Sequence, residues 1–512
     1  MERILDSLRK PGAKGEIKAT APTQRASPRL DHQIQGDGSD SVGYTVPVKA
    51  RMLDRALDRV VRFSGSEAIF FVITSGLLTW ALLGVRYGTS DSWQVGISDI
   101  QAILAYVFDS LLVRQELNLY EEGMEAAATL QSRLISHDRM FRRILRDSAT
   151  ERLEKGLSLT EERPADVDKY RVKFPSETRF GRFTTCAAHV FGHLITVSLY
   201  WAGVFIWIGI GPLYGWSSNW QLYMNSASSA LMVFIFAFLA NIRERHAAYI
   251  NKCLDSIFKT DSILELRLRH LTGDDNDNAV VVLPAPKVNF IQRAIYYYAD
   301  FVGTLTGIGI LLVVIVVWVA VGPLLHFSSN WWLIIGTYAG LAGMHDGFVL
   351  RNMQNRFGRY VDAEFSHVES EDEKLCGIVG IPLPKQETAR RPTLTQKVSE
   401  VVNQVSSHEL TVLAGILIII GLIAGASAMR WSTTGQLLCN VPPSLIESFF
   451  MIILITGHNA ADDKRRIGLR NIYERRLRLL CFVERIKPYV RQDNETPTQD
   501  IDSAFVRTVS RE

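Results

Sequence analysis

Apolar residues along this chain come in long runs, and the runs come in pairs. The first pair occupies 68–84 and 95–113, the second 190–211 and 222–240, the third 300–322 and 333–350, and the last 410–429 and 444–457. Most approach the roughly 20 residues that carry a helix across about 30 Å of hydrocarbon. The backbone must satisfy its own hydrogen bonds in hydrocarbon, so the runs are expected as helices.

The short connectors inside the pairs repeat a phrase: "GVRYGTSDSWQ" (84–94), "GPLYGWSSNWQ" (211–221), "GPLLHFSSNWW" (322–332) and a worn "ASAMRWSTTGQ" (426–436). Aligned on it, Trp80, Trp207 and Trp318 lie 13 residues before Trp93, Trp220 and Trp331, with Leu422 in the fourth copy. Ser66, His193, Thr304 and His408 lie 27 residues before the same anchor. The repeating unit is therefore a two-helix hairpin, and its period sets the architecture. The expected fold is an all-α polytopic membrane protein. Eight transmembrane helices form four repeated hairpins, joined by cytoplasmic helical linkers. The divisions are a disordered N-terminal tail (1–50), hairpins with linkers at 51–178, 179–290 and 291–393, a diverged fourth hairpin at 394–490, and a C-terminal tail (491–512). In the connectors Gly-Pro ends one helix, Ser and Asn cap the next, and Trp marks the interface.

Composition agrees with a chain that alternates between lipid and water: 47% of the 512 residues are hydrophobic, yet 21% are charged. A net charge of +3 and the lack of a basic stripe with interleaved aromatics argue against nucleic acid as a partner. The five cysteines (Cys186, Cys253, Cys376, Cys439, Cys481) have neither CxxC nor framework spacing, which argues against a disulfide scaffold or zinc module. The N-terminus has no apolar segment of the secretory kind. Lys and Arg concentrate in the linkers and tails, while the connectors hold only Arg86 and Arg430. That bias puts both termini and every linker in the cytoplasm. Stretches such as 249–271 and 470–486 read as amphipathic helices that pack on the membrane face or on each other.

Ionisable residues inside the apolar runs carry the chemistry, because a charge at a helix centre costs about 2.5–3.5 kcal/mol to insert. Run two holds Asp99 and Asp109, with Glu116 on the Asp109 face one heptad on; run six holds His345 and Asp346. Run eight places Glu447, Met451 and His458 on one stripe with Asp462 a turn beyond, and run three opens with Cys186, His189 and His193. Carboxylate and imidazole with little thiolate suit borderline divalent metals, and a translocated ion must be held loosely enough to leave. The candidate metal-interacting residues are Asp109, His345, Asp346, Glu447, His193, His408, Asp99, Glu116 and His458. Structural roles compete at several of them. Asp109 has Arg114 within reach as an ion-pair partner. Glu447 follows Pro442–Pro443, where a helix N-terminus would favour an acid. His193 and His408 share their position with Ser66 and Thr304, which fits a hydrogen-bonding slot, and Glu116 and His458 fit solvated helix ends.

The stretches "WALLGVRYGTSDSWQ", "WIGIGPLYGWSSNWQ" and "WVAVGPLLHFSSNWW", with the polar helix exit "RNMQNR" (351–356), resemble the low-affinity iron permease family over about 53–486. "DSLLVRQELN" (109–118) is similar to its longer fungal members. "LLVRQELN" and "FLANIRER" depart from the family's Asn/Gln-rich exit, and the fourth copy lacks the tryptophans. The resemblance implies a non-enzymatic plasma-membrane transporter of Fe2+, with Zn2+ and copper as further substrates and no resident cofactor. Membrane lipid and transition-metal ions are then its partners. The family's single-hairpin bacterial relatives would have to assemble, so homo-oligomerisation stays open for this chain. Two other classes remain open: a channel for other small ions, and a membrane-embedded metal-dependent oxidoreductase using the HxxxH of His189 and His193.

Overall fold

The computed structural model describes residues 14–25, 41–88, 90–147, 174–382 and 401–494. Along them run β1 (Ile17–Ala19), α1 (Met52–Ser64), α2 (Glu67–Tyr87), α3 (Asp91–Asp147), α4 (Arg179–Phe191), α5 (Leu194–Ile210) and α6 (Ser218–Thr272). There follow β2 (Val281–Leu283), α7 (Phe290–Val302), α8 (Leu305–Val321), α9 (Ser329–Val379), α10 (Glu409–Ala428), α11 (Thr433–Leu438) and α12 (Val441–Asn494). Seven helices are long and apolar enough to cross a membrane, or eight when α7 and α8, bent by 65° at their junction, are counted as one span. The chain is an all-α polytopic membrane protein.

Four helices dominate: α3, α6, α9 and α12, of 57, 55, 51 and 54 residues. At 1.5 Å per residue each is about 75–85 Å long, more than twice the thickness of the hydrocarbon. The apolar runs were expected to end near residues 113, 240, 350 and 457 and give way to separate linker helices. The helices instead continue unbroken. "LLVRQELN", "FLANIRER" and "RNMQNR" contain neither Pro nor Gly and are rich in good helix formers. The change of polarity there alters the surroundings of the backbone and leaves its conformation alone.

The long helices close a ring: α3 packs on α6, α6 on α12, α12 on α9, and α9 on α3. Inward positions recur with a heptad spacing, as in a coiled coil. Leu130, Ile257, Val368 and Ile472, each 37 residues past Trp93, Trp220, Trp331 and Gly435, are all fully buried. Seven residues deeper, His137 joins a buried charge cluster that ties the four helices together. Arg476 Nε lies 2.8 Å from Asp372, its Nη1 pairs with Asp261, and Arg133 Nε lies 3.0 Å from Glu265. A second ring surrounds the first. α2 leans on α6, α5 on α12, α8 on α3 and α10 on α9, so each outer helix packs on the long helix of the neighbouring hairpin. Their other faces are apolar and exposed, as lipid-facing helices are: α2 has no buried residue, and α5 only Val204.

Short amphipathic helices α1, α4 and α7 precede the outer helices, and Gly65, Gly192 and Gly303 mark the bends between them. At the opposite end the connectors are tight turns. Gly215–Trp216, His326–Phe327 and Arg430–Trp431, at equivalent positions, all take positive φ. The anchor tryptophans stack in parallel, Trp80 on Trp93, Trp207 on Trp220 and Trp318 on Trp331, with interplanar angles of 1°, 3° and 1°. Trp318 Nε1 donates to the Trp331 carbonyl at 3.0 Å, and Trp331 Nε1 to the Trp318 carbonyl at 2.8 Å.

The N-terminal tail departs from the expected disorder within its described part. β1 pairs antiparallel with β2 in a small two-stranded sheet, with Ile17 opposite Leu283. Lys14 reaches Asp300 at 2.5 Å, and the Ala21 amide donates to Ser132 Oγ at 3.0 Å, so the segment is tied to the inner ends of the long helices. Most of the rest of the tail, the linkers at 148–173 and 383–400, and the C-terminal stretch after Asn494 lie outside the described residues.

Candidate metal path along the helix axis

The inward stripe of the four long helices is polar from the outer end to mid-membrane. Five residues past each anchor stand Ser98, Asn225, Gly336 and Asn440. Asn225 Nδ2 donates to Ser98 Oγ at 2.9 Å, while neither polar atom of the buried Asn440 side chain has a protein partner. A Cβ on Gly336 would stand 2.6 Å from Asn440 Nδ2, so the missing side chain makes the space that amide fills. Ser229 Oγ donates to Gln101 Oε1 at 3.3 Å one turn deeper. Asp99 is buried near this level, with Oδ2 unpartnered.

Below lies an acidic cluster. Glu447 and Asp109 are 0% exposed, and all four of their carboxylate oxygens lack a hydrogen-bond partner. Asp346, 2% exposed, accepts from the Tyr298 hydroxyl at 2.6 Å. Asp109 lies within electrostatic reach of both Glu447 and Asp346, and Glu447 within reach of Asp346. Glu447 rests against Gly343, where an added Cβ would come within 2.5 Å of Oε1. His345 sits edge-on to the Tyr298 ring at 4.6 Å, with Nδ1 unpartnered. The structural roles open to these acids fall away. Arg114 is taken up by Asp58 at 2.9 Å and Asp54 at 3.2 Å, which leaves Asp109 without a counter-charge. Glu447 stands beyond the first turn of α12, outside the short range of the helix-end dipole.

Further in, a chamber of about 100 Å3 opens on the axis. Its wall includes Glu116, Arg243, Gln354 and His458, each 23 residues past its anchor. Glu116 pairs with Arg243, so it is a buried ion-pair partner rather than a solvated end. His458 Nε2 lies 3.0 Å from His246 Nδ1, which in turn is 3.3 Å from Asp462 Oδ2.

The expected residues thus separate into levels. Asp109, Asp346 and Glu447 converge, with His345 attached through Tyr298. Glu116 and His458 share the inner chamber, and Asp99 stands apart near the outside. His193 and His408 do not join them. Each is the exposed N-cap of an outer helix, its Nδ1 accepting from the backbone N–H two residues on (Ile195 and Leu410, both at 3.2 Å). Ser66 and Thr304 cap the equivalent helices, so the shared position answers the orphan amides of a helix start. His189 is half-exposed, 3.8 Å from Asp463. Among the described residues no group of three or more His, Cys, Asp or Glu is arranged to hold a metal ion as a closed site.

Sequence reasoning missed Tyr298, Asn225, Asn440, Arg243, Gln354 and His246. Counting from the connector anchor would have found the residues on the long helices, since they repeat at fixed offsets. Tyr298 lies on an amphipathic helix with no such register.

A multi-pass helical membrane protein with partnerless acids on its central axis is the class these observations define. The chain belongs to the low-affinity iron permease family, whose model matches residues 180–277, 291–373 and 395–496. It is 37% identical over 427 residues to the low-affinity iron/zinc ion transport protein fet4 of Schizosaccharomyces pombe, covering 83% of this chain and 72% of that protein. It is 34% identical over 481 residues to a low-affinity Fe(2+) transport protein of Saccharomyces cerevisiae, covering 88% and 86%. No solved structure matches it.

Proposed function

We propose that this chain carries Fe2+ into the cell across the plasma membrane with low affinity, admits other transition-metal ions such as Zn2+ and copper, and moves them along the axis of the four long helices. The family and the names of its fungal relatives support the transport reading. The observation that carries the path is the convergence of Asp109, Asp346 and Glu447, buried in the membrane half with one hydrogen bond among them. An uncompensated buried charge costs several kcal/mol. A cation entering the cluster removes that cost. Oxygen ligands without a closed cage hold an ion weakly enough to release it, which suits low affinity.

In this reading eight helices cross the bilayer as four hairpins. The tryptophan turns lie outside, and the inner ends of the long helices and both termini lie in the cytoplasm, as the Lys and Arg distribution favours. The acids count against an anion channel. The exposed cap role of His193 counts against an oxidoreductase built on HxxxH. The test is uptake of radioactive Fe2+ by Asp109→Asn, Asp346→Asn and Glu447→Gln at matched surface level. Each is expected to lose at least tenfold in uptake at low metal; normal uptake in all three would remove the site.

A further inference from the structure

Nineteen residues past the anchor, all four long helices carry the same residue: Leu112, Leu239, Leu350 and Leu454. No other inward level named above repeats one residue four times. The four leucines are 2%, 0%, 0% and 0% exposed and belong to one continuous apolar cluster. Their orientation follows from the chamber below. Glu116, Arg243, Gln354 and His458 line it, as do Leu119, His246, Phe357 and Ala461 three residues later. The leucines stand four residues before the first set and seven before the second, on the same helical stripe. At 1.5 Å per residue they lie about 4.5 Å below Asp109 and about 6 Å above the chamber wall. Phe236 and Met451, level with Asp109 and fully buried, extend the apolar collar upward.

We propose that these four leucines are the gate of the path: a dry constriction that holds the ion at the acidic cluster and sets the rate at which it reaches the inner chamber. The proposal rests on the axial path argued above. A hydrated or partly hydrated divalent ion cannot enter a collar of leucine side chains without the collar widening and wetting, which is how apolar constrictions close aqueous paths. Polar groups on both sides and none at the ring confine the barrier to one level. Side-chain size at this level therefore controls the turnover rate, while the acids above control affinity.

The experiment is initial-rate Fe2+ uptake into proteoliposomes holding the full chain, with KM and maximal rate measured separately. Leu239→Ala and Leu454→Ala are expected to raise the maximal rate at least threefold with KM within twofold. Leu239→Phe, which fills the ring further, is expected to lower it at least fivefold. Ile257→Ala, 18 residues deeper on the same helix, serves as the packing control. A purely structural leucine would make Leu239→Ala behave like Ile257→Ala, slower or less stable with no gain in rate, and that result overturns the gate. If the alanine variants do not fold, Leu239→Phe still decides, because an unchanged maximal rate at normal surface level overturns the proposal. Failure of the underlying reading looks different: uptake survives Asp109→Asn and Asp346→Asn. Loss of uptake in those variants together with indifference to all leucine changes sinks the gate alone.

Discussion

Adding one methyl group at Gly343 should damage metal affinity while leaving the fold nearly untouched. The Cβ of Gly343→Ala would stand 2.5 Å from Oε1, 2.7 Å from Cδ and 2.8 Å from Oε2 of Glu447, where ordinary contact begins near 3.4 Å. The carboxylate must therefore retreat by about 0.7 Å. Overpacking typically costs about 1–3 kcal/mol, and the low end applies when the obstructing atoms are the free end of a side chain. Glycine to alanine inside a helix returns about 0.8–1.0 kcal/mol, so stability should change by less than about 1 kcal/mol. The ion feels the move directly. At an effective dielectric of about 20, a divalent cation about 4 Å from a carboxylate is held by about 8 kcal/mol, and withdrawal to about 4.7 Å gives up about 1.2 kcal/mol, roughly eightfold in affinity. The assay is concentration-dependent Fe2+ uptake alongside a thermal melt of the purified protein. KM is expected to rise about five- to tenfold with an almost unchanged melting temperature. In a Glu447→Ala background the same methyl should have no further effect on KM, since the group it displaces is gone. An unchanged KM in Gly343→Ala, or equal losses with and without Glu447, would refute the reasoning.

Two further outcomes concern the inner ends of the long helices. Arg476→Ala strands Asp261 and Asp372, both fully buried, and should cost about 3–5 kcal/mol in a denaturation measurement, because an abandoned charge costs more than a missing pair. The second concerns pH. Burial and the neighbouring Arg476, Arg133 and Arg269 hold the His137 pKa well below its usual value of 6.5. Asp261 at 3.6 Å would favour the imidazolium, but Nδ1 accepts from Arg476 at 3.1 Å, which keeps the ring neutral. The folded state therefore resists a proton that the unfolded chain accepts, so stability is intact above pH 6.5 and declines as pH falls through that value. Burial pushes Asp372 the other way, up to about 6, so it begins to take up protons and oppose the loss only below that pH. The melting temperature should drop between pH 7 and 6 in the native chain and stay flat over that window in His137→Gln.

Much of this molecule is written in hydropathy and repetition. The apolar runs place the outer helices and the outer halves of the long ones, and the acids inside them were identifiable because lipid leaves so few reasons to keep a charge. The long helices were harder, since a fall in hydropathy looks like an end whereas only Pro, Gly or a cap ends a helix. His193 and His408 illustrate the ambiguity of imidazole: the same nitrogen ligates a metal or caps a helix, and only its exposed placement separates the two. β1 is three residues paired with a strand more than 260 positions away, and nothing local specifies such a partner. The chamber was legible in principle at a fixed distance from the anchor, but four dissimilar side chains at one register do not announce a common wall.

Those dissimilar side chains bear on how such a protein can evolve. Any ring of four identical subunits repeats each choice four times, so an acid at the chamber level would mean four acids crowding one axis, and an arginine four arginines. A single chain escapes that arithmetic. Glu116, Arg243, Gln354 and His458 put one anion, one cation, one amide and one imidazole on the same circle, and the anion and cation neutralise each other across it. Linking the quarters covalently makes each position around the axis separately heritable, so charge can be tuned one unit at a time while the leucine ring keeps its fourfold uniformity.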